Sequence, residues 1–449
     1  MRKFVSIPLL GLIACGVNAQ DTLPKVPFSG MDLTWVNGQS RIGDPPLVLE
    51  DKNGETLLTA TVSADVYYNF NFAAPIDNTH AVSASIGRHN EFILNHACIG
   101  VETGYRNIIG RLWLQTGAML NSIQDTDPSV NKGKNTGVAN FRLIREATAG
   151  YHFNRWHGIN IEAGIFVSYI GLESYMLNEN WSYQRSMVSE FTPFYFQGAR
   201  IQVFPGRRLK QEIWVMNGWQ SYNSYGRSPA MGSSTYFRPT ENFQLAASFY
   251  AGRDTQAPDT LGNQSNRLRF HHDHSAVIRY YRNPASKYIS QCAFSINNHY
   301  GFQHGFDSSD PVTSNEHFMI GTSVAHRTWF RRNTLALTLR GDYLANGGNY
   351  LAYSPSSVVP NDYSDALAAD PYKPLQLFQA TATFDIMPND YMTFRVEYGY
   401  RRSNLPYFAG PGGTTYPSGW ANGPVPAGTW RPDLRTTENR ITVSVNFRL

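Results

Sequence analysis

The densest group of metal-ligating side chains in this 449-residue sequence is His271-His272-Asp273-His274. In an extended strand, residues two apart share a face, so His272 and His274 point one way and His271 and Asp273 the other. Four ligands cannot converge on one ion from such a segment, and a zinc site would need partners from elsewhere. The group reads as polar side chains near a strand end, and no metal or cofactor is expected. Covalent hydrolysis would need a nucleophile beside a histidine, yet His152, His157, His299, His317 and His326 stand apart with no serine patterned against them. No catalytic residue is assigned, and the expectation is a non-enzyme. The acidic pairs Asp125/Asp127 and Asp307/Asp310 offer oxygen ligands for calcium, but solvated loop charge is the plainer reading. No Gly-rich loop opens a helix, so nucleotide use is unsupported, and no basic tract argues for nucleic acid.

What recurs instead is charge of alternating sign two residues apart: Lys210/Glu212, Arg340/Asp342, Arg395/Glu397 and Glu438/Arg440. At a period of two, both members of each pair face the same side of a strand. The same parity places Asp65, Arg142, Glu146, Glu162, Arg200 and Glu212 on a polar inner wall in the first half of the chain. In the second half it places Arg269, Asp273, Arg340, Asp342, Arg395, Glu397 and Arg401 there. Arg111, Lys210, Arg279, Asp385, Glu438 and Arg440 complete the set, so ten bases face nine acids and the net field is close to neutral. Such charges either pair across strands and stiffen the wall or orient polar solutes in a wet lumen; the sequence leaves both open.

The elements that must hold these residues are long alternating strands. In 59–72, TATVSADVYYNFNF, the even positions run Ala60, Val62, Ala64, Val66, Tyr68, Phe70, Phe72, and only Tyr67 blurs the polar odd set. Ile441, Val443, Val445, Phe447 and Leu449 alternate with polar residues in the same way, as do 333–343 and 391–401. The segment 158–169 follows suit apart from Phe166. Strands of about ten residues with this pattern suit a wall between lipid and water, whereas strands of soluble sheets are nearer five or six. Seven short turns, near 105–107, 154–155, 205–207, 239–242, 283–285, 331–332 and 388–390, carry the residues that reversals require. Eight longer segments near 73–90, 119–138, 172–193, 219–229, 254–266, 303–314, 346–373 and 403–434 lie between them. Seven turns and eight loops connect sixteen strands. Aromatic residues gather beside the turns, as interfacial girdles do. The fold class expected is therefore all-β: a transmembrane, antiparallel up-and-down barrel over 58–449, both ends in the periplasm.

Composition agrees. Charged residues are 16% and aromatic residues 14%, mean hydropathy is −0.36, and no later stretch approaches the roughly 18 apolar residues of a membrane helix. Net charge is 38 − 34 = +4, too small to inform. Residues 1–19 read as a cleaved secretory signal, with Arg2 and Lys3, an apolar run, and Val17-Asn18-Ala19 as the cleavage site. Leu12-Ile13-Ala14-Cys15 offers the alternative of lipoprotein processing at Cys15. Residues 20–57 read as a periplasmic leader or short plug. Cys98 and Cys292 are expected to stay unpaired thiols on the second and eleventh barrel strands.

Several stretches resemble the OmpL-like β-barrel porin family of Gram-negative outer membranes: SYIGLESYMLNENWSYQRS (168–186), FTPFYFQGARIQVFP (191–205), MNGWQSY (216–222), HHDHS (271–275) and EYGYRRSNLPYF (397–408). WVNGQSR (35–41) and FNFAAPIDNT (70–79) are similar too. The resemblance implies an outer-membrane channel and assigns no functional residue. Leu449, where many such barrels end in an aromatic residue, departs from the general pattern.

The function expected is that of a porin passing small hydrophilic solutes with weak charge selectivity, embedded in outer-membrane lipid. Glu173, Glu179, Arg185 and Glu190 of loop 172–193 are the candidates for a constriction, with a slight lean to anions coming from Arg395, Arg401, Arg269 and Arg279. The competing reading is a non-conducting barrel whose long outer loops dock a partner. Whether copies associate as a homo-oligomer, and which loop enters the lumen, are left open.

Overall fold

A computed structural model of the chain describes residues 46–80, 82–125, 127, 129, 138–224, 228–253, 268–304, 317–348, 350–351, 374–416 and 430–449. The signal and most of the leader, the Asp307/Asp310 pair and parts of seven outer loops lie outside this set.

Long alternating segments become long strands. In the first half these are β1 (Leu47–Glu50), β2 (Thr56–Asn71), β3 (Phe92–Thr103), β4 (Ile108–Thr116), β5 (Ile144–Phe153), β6 (Ile159–Val167), β7 (Tyr195–Gly206), β8 (Leu209–Met216) and β9 (Ala230–Thr240). The second half adds β10 (Phe243–Gly252), β11 (Leu268–Arg282), β12 (Ile289–His304), β13 (Phe318–Phe330), β14 (Leu335–Gly347), β15 (Leu375–Asn389) and β16 (Met392–Ser403). A two-residue pair, β17 (Phe408–Ala409) and β18 (Leu434–Arg435), precedes the last strand, β19 (Thr437–Arg448). Strands β2 to β16 each pair antiparallel with the next, and β19 joins β16 to β2 to close a sixteen-stranded barrel.

The alternation holds strand by strand. On β15 the burial pattern runs BiBeBeBiBeBe before it relaxes at the turn, and on β19 it runs eBiBeBeBeB. Closure leaves no edge to aggregate. The seven short turns fall where Gly, Pro, Asn and Arg predicted them. At Arg331, Arg332 and Asn333 three consecutive residues adopt φ of 48°, 59° and 68°, a sharp reversal within the turn Arg331–Thr334. Cys98 and Cys292 are buried, unpaired thiols on β3 and β12.

Three details differ from the periodic reading. The leader does not stay irregular up to residue 57: β1 pairs with Thr56–Ala60 of β2. β19 reaches only to Ser63 of β2, so the lower part of that strand would present a bare edge, and β1 covers it. Arg142 is not on a strand. It sits half-buried in the turn before β5, and a bulge in the β4–β5 pairing between Trp113 and Leu114 lets Arg145 and Glu146 both turn inward. On β6, Ile165 and Phe166 are both buried, because the loop that follows β6 packs over that end of the strand.

Candidate functional site

The lumen is where the polar faces of all sixteen strands meet, and the third long loop, residues 168–194 between β6 and β7, fills its centre. Almost every residue from Leu172 to Phe194 is buried. Backbone carbonyls in a segment lacking regular hydrogen bonds need donors when they leave water, and the wall supplies them as arginines. Arg327 on β13 donates to the Trp181 carbonyl at 3.1 Å. Arg340 on β14 donates to the carbonyls of Gln184 at 2.7 Å and Arg185 at 3.2 Å, and Arg395 on β16 to those of Leu177 at 3.2 Å and Asn180 at 2.8 Å. Acceptors on the wall take the loop's donors in turn. Glu397 receives the N–H groups of Tyr183 at 2.6 Å and Gln184 at 3.1 Å, and Asp65 on β2 receives the Tyr183 hydroxyl at 2.7 Å.

These wall groups are braced by one another. Asp385 holds Arg395 at 2.6 Å and Arg327 at 2.7 Å. Arg440 holds Glu397 at 2.9 Å, and Asp342 holds Arg340 at 3.1 Å. Charge-assisted bonds of this kind are the stronger ones, and here they fix a loop rather than face a channel.

The four loop candidates are brought into the lumen, but three are consumed there. Glu173 accepts from Arg340 at 3.0 Å and from the Ser186 amide and hydroxyl, both at 2.6 Å. Glu179 is bound by Ser174 and Arg448. Glu190 accepts the Ser85 amide at 2.6 Å and the Ser85 and Ser83 hydroxyls at 2.7 and 3.0 Å. Through Glu190 the first long loop, 72–91, is tied to the third. That first loop is also pinned to the wall: Arg401 donates to the Val82 carbonyl at 2.8 Å and to His80 Nε2 at 2.9 Å, while its other side binds Glu438 at 2.7 Å. Burial pushes the His80 imidazole down to about 3, against the pull of Glu438.

The opposite wall, β4 to β11, keeps most of its charges among its own strands. Glu162 accepts from Arg111 and Arg200, each at 2.8 Å. Glu212 is held by Lys210 at 2.8 Å, Gln202 at 2.6 Å and Ser234 at 2.6 Å. Glu146 lies 3.3 Å from Arg145. Arg269 sits over Trp219 at 4.8 Å and Tyr350 at 4.7 Å. Within the His271–His274 segment the faces divide as the strand period requires, with His271 and Asp273 buried inside. His271 hydrogen bonds His299 at 3.0 Å and Tyr350 at 2.8 Å.

Between this wall and the loop lies a cavity of about 50 Å³ lined by Arg185, Arg200, Lys210, Glu173, Glu212, Trp214, Tyr236 and Gln244 among others. That is room for a few waters. Arg145 and Arg327 are inner-wall residues that the periodic reading missed. Arg145 was hidden by the bulge, and Arg327 by its neighbour His326, since two successive ionisable residues blur the parity.

The chain matches, over residues 58–446, the family model described as "Putative beta-barrel porin-2, OmpL-like". Among solved structures it is similar in fold to the outer-membrane-expressed OmpT of Vibrio cholerae, with 8% identity over 90% of this chain and 100% of the other and a TM-score of 0.52. It is likewise similar to OprB of Pseudomonas putida, with 10% identity over 87% and 94% and a TM-score of 0.51. No curated protein sequence matches it. A family match across nearly the whole barrel, on a closed sixteen-stranded wall with a polar lumen, makes this chain a member of the OmpL-like β-barrel porin family, a porin of the Gram-negative outer membrane.

Proposed function

We propose that solutes cross between the third loop and the β4–β11 wall, that only small hydrophilic ones pass, and that selectivity is weak with a lean to anions. The observation that carries this is the charge lining the cavity: three bases, Arg185, Arg200 and Lys210, against two acids, Glu173 and Glu212. Both acids are already bound by Arg340 and Lys210. The lean thus comes from other residues than those named from sequence, because Arg395 and Arg401 are engaged with the loops. Strong selectivity needs a ring of one sign, and paired charges do not make one. Reversal potentials across a planar bilayer under a salt gradient test this; a ratio favouring cations severalfold would sink the anion lean. A membrane silent at high protein load would instead support the docking barrel, a reading favoured by how closely the loop fills the lumen.

The outer wall supports a second proposal, that copies associate through the β11–β13 face. Between the aromatic girdles the outward residues of β14 to β19 and β2 are Leu, Val, Ile, Ala, Gly and Phe almost throughout. On β11 to β13, His272, His274, Asn298 and Thr322 face outward instead, linked by His274–Asn298 at 3.2 Å and Thr322–Asn298 at 2.7 Å. They lie below Phe270, Phe302 and Tyr300 and above Ile278 and Phe294. Polar groups facing acyl chains are costly, and a protein partner relieves that cost. His, Asn and Thr each carry a donor and an acceptor, so this patch can meet a second copy of itself without a charge clash. Light-scattering mass of the purified protein should show an oligomer that His274→Leu with Asn298→Leu converts to monomer. A monomeric parent protein would exclude the association.

A further inference from the structure

Arg185 differs from every other arginine around the cavity. It is 2% exposed. Its guanidinium carbon stacks 4.2 Å from the centre of the Phe194 ring, and its Nε and Nη1 meet no hydrogen-bond acceptor. Its neighbours are taken: Arg200 by Glu162 at 2.8 Å, and Arg340 by Asp342 at 3.1 Å and Glu173 at 3.0 Å. The two carboxylates that pull on Arg185 electrostatically are Glu190 and Glu173. Both already serve other donors, Glu190 those of Ser83 and Ser85, and Glu173 those of Arg340 and Ser186.

Nothing about the backbone makes this side chain movable at little cost. The Arg185 carbonyl is held by Arg340 at 3.2 Å and Gln379 at 3.4 Å, and Ser186 caps the short helix Met187–Glu190 that follows. The guanidinium is therefore preorganised at the cavity, with unsatisfied donors on a group that retains its charge under all physiological conditions.

We propose that Arg185 anchors a binding subsite for a small monocarboxylate, an anion of the size of formate or acetate. Three features of the cavity select that class. Its wall carries three bases, Arg185, Arg200 and Lys210, against two acids, Glu173 and Glu212, so 3 − 2 leaves one surplus positive charge. One surplus charge matches a monoanion and undercompensates a dianion. A volume of about 50 Å³ favours a ligand of a few heavy atoms over a sugar or dicarboxylate. Guanidinium N–H groups lie in one plane, as carboxylate oxygens do, which favours that geometry over a tetrahedral oxyanion. Phe194, stacked on the guanidinium and itself lining the cavity, restrains the group and presents an apolar surface to a methyl group.

The subsite rests on the reading that this cavity belongs to the solute path, and the test separates the two. Full-length protein, purified and folded in detergent, is titrated calorimetrically with sodium acetate and, separately, with sodium phosphate at equal ionic strength. The expected result is saturable acetate binding, weakened at least about tenfold by Arg185→Gln, with phosphate binding more weakly than acetate. Arg185→Lys, which keeps the charge and loses the planar fork, should fall between. Each variant is checked for its folded, heat-modifiable gel band, so a misfolded variant is recognised as such and Arg185→Lys carries the comparison. Acetate that fails to bind a protein which conducts in bilayers overturns the subsite and leaves the porin reading standing. Acetate that binds a protein silent in bilayers overturns the solute path and leaves the subsite. Phosphate binding as tightly as acetate overturns the ligand class.

Discussion

Glu397 on β16 accepts the backbone N–H of Tyr183 at 2.6 Å, joining residues 214 apart in the chain. The Gln184 N–H at 3.1 Å, Thr383 at 2.8 Å and Arg440 at 2.9 Å occupy the rest of the carboxylate. A wall charge that would be expected to face solutes is instead a socket for the loop that narrows their path. The same is true of Arg340 and Arg395, and it makes the loop's attachment the variable that sets pore size.

Arg395→Gln should therefore widen the pore. It removes the donors to Leu177 and Asn180 while Asp385 keeps Arg327 at 2.7 Å, so the wall is not left with a bare acid. Each lost charged hydrogen bond is worth about 1.5–3 kcal/mol, enough to populate detached loop states. Single-channel records should show larger and noisier openings. Tyr183→Phe, which loses the hydroxyl's bonds to Asp65 and from Asn95 but no bond to an ionised donor, should produce a smaller change in the same direction. Conductance equal to the parent in both variants would show that the loop is not the barrier.

Charge selectivity should be insensitive to the loop acids and sensitive to the opposite wall. Glu179 and Glu190 lie off the cavity lining, so replacing both with Gln should leave the reversal potential near its parent value. Lys210→Gln leaves Glu212 with only the longer pairing to Arg200 at 3.9 Å, removes one positive charge from the cavity, and should move permeability towards cations. A unit charge at contact distance in water is worth about 1 kcal/mol, hence a severalfold change in the permeability ratio. The opposite ranking would place the solute path along the loop's docked side.

The barrel was legible because its signal is local and redundant. Each strand repeats apolar-out, polar-in over ten or more residues, and Ala60 to Phe72 alone contains enough of the pattern to orient the rest. Turn residues fixed the strand count. The docking of the third loop was not legible, because Arg327, Arg340 and Arg395 bind backbone carbonyls, and a carbonyl leaves no mark in a sequence. Glu173, Glu179, Arg185 and Glu190 lie on the loop packed inside the barrel, yet nothing in their spacing shows that three are spent on internal bonds and one is not. Arg142 and Arg145 exchanged places through a one-residue bulge, the kind of irregularity that shifts side-chain faces without altering composition.

The first loop should loosen in acid. His80 is fully buried between Arg401 and Glu438, and its folded value of about 3 lies below the usual 6.5. A folded value below the unfolded one means that protons favour the opened loop. The stabilisation from neutral His80 is complete above about pH 6.5 and falls away as pH drops towards 3. Protease cleavage within 73–91 should accelerate between pH 7.5 and 4.5. His80→Gln, which still offers Arg401 an acceptor, should flatten that dependence, and an equally steep profile in the variant would locate the titration elsewhere.

Gly100 is a position where a single methyl group should cost the barrel stability. It pairs across β3 and β4 with Trp113, and a Cβ built there would stand 2.2 to 2.6 Å from three indole carbons. The indole is not free to withdraw. It is 2% exposed, packs with Cys98 and Met176, lies under the Arg145 guanidinium at 4.5 Å, and donates from Nε1 to Glu102 at 3.1 Å. Gly100→Ala should therefore destabilise by about 1–3 kcal/mol, as overpacking does, and lower the temperature at which the folded gel band converts to the unfolded one. Gly341 on β14 is the matched control: it faces outward and a Cβ there meets nothing within 4 Å, so Gly341→Ala should leave that temperature unchanged or raise it slightly. Identical melting of the two variants would show that Trp113 does not rest on Gly100, and that the close approach of ring to glycine is not what holds β3 and β4 in register at the rim of the lumen.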